Sequence, residues 1–112
     1  MMWLSYVSYF FGGVALGNAI PHFVSGMMGR AFQSPFANPP GTGLSSALVN
    51  VGWGAVNIAI GYVLVLHVGN FDLRATWDAV AFGAGLFVIA VLSARVFGPL
   101  HGGDRNGSHQ SS

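Results

Sequence analysis

Residues 17–30 read GNAIPHFVSGMMGR, placing Asn18, Pro21 and His22 within five positions of a run that is otherwise apolar. The stretch belongs to a longer segment, residues 3–28. That segment is long enough to cross the ~30 Å hydrocarbon core of a bilayer, which takes about 20 helical residues. An amide or imidazole turned toward lipid finds no partner for its donors and acceptors, so these side chains have to face another helix. The fold follows from what they face.

The composition agrees. Of 112 residues, 53% are hydrophobic and 6% are charged, where a soluble domain carries roughly 25% charge. The mean hydropathy is +0.60. A chain of this size holds one domain, and with so few charges it reads as an integral membrane protein. Lysine is absent, and four arginines against three aspartates leave a net charge of +1. That excludes the basic patch a nucleic-acid binder needs. Cysteine is absent as well, which removes disulfides, thiolate nucleophiles and Cys-based metal sites. The opening MMWLSYVSYFF lacks a positively charged start, and its apolar run is too long for a secretory signal, so the segment is expected to stay in the membrane.

Two further stretches, 46–68 and 76–97, have spanning length, with Asp78 and Arg95 near the ends of the second. Residues 29–45 are rich in Pro, Gly and Ser and predict an irregular loop, with Phe32 and Phe36 dipping into the interface. Residues 99–112 are polar and glycine-rich and predict a disordered tail. The expected fold is an all-α membrane protein with three transmembrane helices, the first two forming an antiparallel hairpin. Arg30, Arg95 and Arg105 fall on one side and Arg74 on the other. The positive-inside rule then puts the N-terminus outside and the C-terminus in the cytoplasm.

Residues three and four apart share a helix face. Asn18, His22, Ser25 and Gly29 form such a stripe on the first helix, and Ser46, Asn50, Trp53 and Asn57 form one on the second, continuing to Gly61. In an antiparallel pair, residues at equal depth have position numbers with a constant sum. A sum of 75 pairs Asn18 with Asn57, His22 with Trp53, Ser25 with Asn50 and Gly29 with Ser46. This register predicts a polar seam, each amide bonding across it for roughly 0.6–2 kcal/mol. Pro21 withholds one helical hydrogen bond and frees the Gly17 carbonyl beside the stripe. Gly13 with Gly17, and Ala81 with Gly85, provide the small residues that permit close helix approach.

His22 is the strongest candidate for chemistry, because an ionisable residue inside a membrane is a functional hypothesis in its own right. It suits a metal, a haem, a proton relay or a polar headgroup, and equally a neutral imidazole bonded to the second helix. A bis-histidine haem needs a second imidazole at like depth. His67 lies at the far end of the second helix and His101 and His109 in the tail, so two copies of His22 in a symmetric dimer would be required. Trp53 lies too deep for the interfacial belt, and its indole N–H calls for a partner. Asp78 opens the third helix with Arg74 one turn earlier, as a cap or a surface ion pair.

The residues NAIPHF, GRAFQSPFANPPG and NVGWGAVNIAIGY resemble a family of small bacterial multi-pass membrane proteins with no assigned activity. The resemblance covers the first two helices and their loop. It implies a bacterial inner-membrane location, adds no catalytic residue, and treats residues 30–45 as one unit with the PHF segment. No catalytic motif is visible, and no cofactor or metal is expected. The expected role is an accessory or interaction subunit, partnered by the bilayer and by further copies or a larger membrane complex. The alternative is a homo-oligomeric transporter or channel for a small solute, lined by Asn18, His22, Asn50 and Asn57.

Overall fold

Each helical stretch stops where local chemistry stops it. The computed structural model describes residues 2–103, in the order α1 (Met2–Met27), β1 (Phe32–Gln33), β2 (Leu44–Ser45), α2 (Ala47–Leu66) and α3 (Thr76–His101). α1 closes on Gly29, which adopts the left-handed φ of 72°. The Arg30 N–H reaches the Ser25 carbonyl and the Gly29 N–H reaches that of Gly26, a Schellman termination. α2 begins because Ser46 caps it, accepting from the Val49 N–H. In the turn between α2 and α3, the Asp78 carboxylate accepts from the Asp72 N–H at 2.9 Å. It fastens the turn to the first turn of α3.

Two boundaries differ from the sequence reading. α3 continues past Phe97 to His101 with Pro99 inside it, so residues 99–101 are helical where a disordered tail is expected. Pro99 withholds one donor, but its fixed φ suits a helix. The stop comes at Gly102, in the left-handed region, where the Gly103 N–H bonds the Gly98 carbonyl. The remainder of the expected tail, 104–112, lies outside the described residues. The loop 29–45 also carries more order than its prolines suggest. β1 and β2 pair antiparallel, Phe32 opposite Ser45 and Gln33 opposite Leu44.

The protein is all-helical apart from this ribbon, and α2 and α3 are each long and apolar enough to cross a membrane. α1 carries no charge, but Ser5, Ser8, Asn18, Pro21, His22 and Ser25 lower its hydropathy. Those residues are explained by position, since α1 is the middle helix. α2 and α3 pack along it on either side and barely touch each other. Contacts with α2 climb one helix as they descend the other: Ser8 Oγ donates to the Leu64 carbonyl, and Gly54 lies against the backbone of Phe23. The buried face of α2 is Asn50, Gly54, Asn57, Gly61 and Val65. Small residues alternate there with amides.

Burial is inverted relative to a water-soluble core. Ser8, His22, Gln33, Ser34, Ser45, Asn50 and Asn57 are buried, while Leu48, Phe87 and Trp77 are 80%, 70% and 68% exposed. The α1–α3 contact is closest at Gly85, where a Cβ would strike the Phe10 carbonyl oxygen; at Gly83, two residues earlier, a Cβ would meet nothing within 4 Å. Alanine is favoured over glycine in a helix by about 1 kcal/mol, so Gly83→Ala is expected to leave stability unchanged or raise it. Gly85→Ala is expected to lower it by about 1–3 kcal/mol through overpacking. Unfolding in detergent micelles with both variants side by side reads the opposite signs.

Candidate functional site

The site is built on Asn50, which has no exposed surface. Its amide nitrogen lies 3.0 Å from the Phe32 carbonyl, 3.2 Å from that of Ser45 and 3.1 Å from that of Ser46. Its Oδ1 lies 2.8 Å from His22 Nδ1. Three carbonyls around one side of the amide fix its orientation, since only the NH2 group can donate. Oδ1 therefore faces His22 as an acceptor, and Nδ1 carries the proton. The other ring nitrogen, Nε2, has no hydrogen-bond partner among the described residues, yet it is not one of the fully occluded atoms. A single asparagine thus joins α1, both short strands and the start of α2, and sets the tautomer of the histidine.

One turn deeper, Asn18 Nδ2 donates to Asn57 Oδ1 at 3.2 Å, and Asn57 Nδ2 donates to the Trp53 carbonyl at 2.9 Å. Of the four cross-helix pairs expected in register 75, Asn18 with Asn57 meets by hydrogen bond. His22 and Trp53 approach edge to face with centroids 6.5 Å apart. The other two pairs do not form. Asn50 is taken by His22 and by the loop in place of Ser25, because the strand carbonyls converge on it. Gly29 is the helix terminus and has nothing packed on it. Ser25 instead lines a second cavity with Arg30 and His101. The Trp53 indole N–H has no described hydrogen-bond partner, contrary to expectation. The ring packs edge to face on Phe36, at 5.2 Å, and its half-buried position leaves the N–H partly accessible. Pro21 is half-buried in the turn that carries His22.

The loop adds residues that the sequence pattern missed. Ser34 and Ser45 hydroxyls bond at 2.6 Å and both are buried. The Ser34 carbonyl accepts from the Ala37 and Gly41 N–H groups. Gln33, also buried, accepts from His101 Nε2 at 2.8 Å through Oε1. Phe32 sits 5.3 Å from the His22 ring, 4.9 Å from Phe97 and 5.2 Å from His101. His101, assigned to the tail by the sequence, is thereby part of the site through the extra turn of α3. Nothing in the FQSPF string marks Gln33 and Ser34, because two adjacent polar residues do not follow the apolar–polar alternation of a strand.

Beneath the loop lies a cavity of about 380 Å3, walled by Asn18 and His22 from α1, Trp53 from α2, Phe97 from α3 and Gln33 with Ser34 from the loop. That size falls in the range of small-molecule sites. Among the described residues, no group of three His, Cys, Asp or Glu side chains is placed to hold a metal ion. No match to this chain was found among family models, curated proteins or solved structures.

Removing the hub leaves several groups unpaired at once. Asn50→Leu, of similar volume, strands His22 Nδ1 and the Phe32 and Ser45 carbonyls, at about 1–3 kcal/mol for a buried group left without a partner. It is expected to cost about 2–4 kcal/mol, and Asn57→Leu, which breaks one cross-helix bond, about 1 kcal/mol. Thermal unfolding in micelles checks the ranking.

Proposed function

We propose that this chain is a three-pass integral membrane protein, a bacterial inner-membrane accessory or interaction subunit in which the α1–α2 pair is an antiparallel transmembrane hairpin. The inverted burial carries this reading: polar side chains of α1, α2 and the loop between them are turned inward, and large apolar ones point outward on all three helices. In water that surface would be an aggregation hazard; in lipid it is the ordinary outer surface. α2 and α3 meet the length and apolarity of a span, and α1, between them, hides its polar residues against α2. The Cα trace extends 53 Å along its long axis, more than the roughly 40–45 Å of a bilayer with its headgroups.

The loop and the end of α3 share one face of the molecule, tied by Gln33 and His101. Arg30 and Arg95 therefore lie toward that face, and Arg74 in the opposite turn. This supports a cytoplasmic loop and C-terminus with the N-terminus outside. The accessory reading is favoured over a channel because Asn18, His22, Asn50 and Asn57 bond to one another within one chain, whereas residues lining a water path would face out of it. The apolar sides of α2 and α3 that α1 leaves uncovered are the surfaces for further copies or a larger complex.

The native chain has no cysteine, so single cysteines report topology without background. Thr42→Cys in the loop and Asn70→Cys in the α2–α3 turn are both at exposed positions. In intact spheroplasts an impermeant maleimide is expected to label Asn70→Cys, and Thr42→Cys after permeabilisation. The protein is expected to stay in the membrane pellet after alkaline carbonate washing. Release by carbonate, or labelling of both positions from one side, sinks the three-pass reading.

A further inference from the structure

We propose that the cavity beneath the loop is a binding site for a neutral amphiphile, with a hydroxylated ring as its head and an aliphatic tail, whose hydroxyl donates to His22 Nε2. The first support is His22 itself. The residue is 3% exposed, its Nδ1 is committed to Asn50, and Nε2 has no hydrogen-bond partner among the described residues and keeps some accessible surface. His22 lines the cavity while Asn50, which holds Nδ1, does not, so the ring nitrogen left to meet a ligand there is Nε2, an acceptor without a partner among the described residues. The complementary ligand group is a donor. No Asp, Glu, Lys or Arg lines the cavity, so nothing there compensates a charged head, and phosphate, carboxylate and ammonium heads are disfavoured.

The second support is shape. The walls are mostly apolar, with Trp53 and Phe97 on two sides, which suits a planar ring. Gln33 Oε1 is engaged by His101, leaving its amide nitrogen as a donor on the same wall for a second oxygen on the head. The cavity shares Asn18, Val96 and Phe97 with an apolar groove of about 170 Å3 that follows α3 down past Leu92 to Ile89. Ile89 lies near the midpoint of α3. Head and tail are thus disposed as in a membrane lipid, the polar end near the loop and the hydrocarbon toward the bilayer centre.

This inference rests on the membrane reading above, and the test separates the two. Titration calorimetry on the full chain in detergent, under anaerobic reducing conditions where needed, uses four probes: decylhydroquinone, its dimethyl ether, decylquinone and 4-decylphenol. The hydroquinone and the phenol are expected to bind and to raise the Tm. The ether and the quinone, which lack the donor hydroxyl, are expected to bind about ten-fold or more weakly. A hydroquinone preference over the phenol assigns two-oxygen heads, and parity assigns single hydroxyls; either upholds the site. His22→Asn keeps a donor toward Asn50 but removes the Nε2 acceptor, and is expected to bring the hydroquinone down to the affinity of the ether. Equal binding of hydroquinone and ether to the native protein, no binding of any probe, or an unchanged affinity in a folded His22→Asn overturns the proposal. A chain that resists carbonate yet binds no probe loses the site and keeps its membrane assignment.

Discussion

The amide of Asn50 is the constraint on which the rest depends. Three carbonyls and a histidine converge on one fully buried side chain. The Phe32 and Ser45 carbonyls belong to the two strands, so the ribbon is docked on α2 by the same group that docks α1. Sliding α1 along α2 by one turn would part His22 Nδ1 from Asn50 Oδ1 and leave both without a partner, at a cost larger than the gain from any single apolar contact. Register, loop conformation and histidine tautomer are therefore a single choice.

Close packing makes that choice geometrically accessible. Gly54 against Phe23, and Gly85 against the Phe10 carbonyl, let the helix backbones approach near enough for short side chains such as Asn and Ser to reach across. On the membrane reading there is little hydrophobic force pressing helices together, so packing and hydrogen bonding set the association. The interior holds glycine, alanine, serine and amides, and the bulky side chains are left to the perimeter.

The polar stripes were legible because helical periodicity is a local property: Asn18, His22, Asn50 and Asn57 stood out at intervals of three and four. The pairing of His22 was not, because Trp53 and Asn50 lie on adjacent turns of the same face and the carbonyls that select Asn50 come from the loop. Neither Phe32 nor Ser45 carries a mark in sequence of what its main-chain oxygen will accept. The added turn of α3 was hidden for a related reason. Pro99 reads as a stop, while the contacts of Phe97 and His101 with Phe32, and the left-handed Gly102, carry the helix beyond it.

The central place of α1 has a consequence for how the chain is made. On the membrane reading, α1 is synthesised before α2 and is the span least able to remain in lipid alone. The partners of His22 and Asn18 follow 28 and 39 residues later. At roughly 5–20 residues per second, that is about 1–8 s during which an imidazole and an amide have no intramolecular acceptor. α1 is therefore suited to wait at the insertion machinery and to leave it with α2 as one unit, so that the order of synthesis and the order of packing coincide.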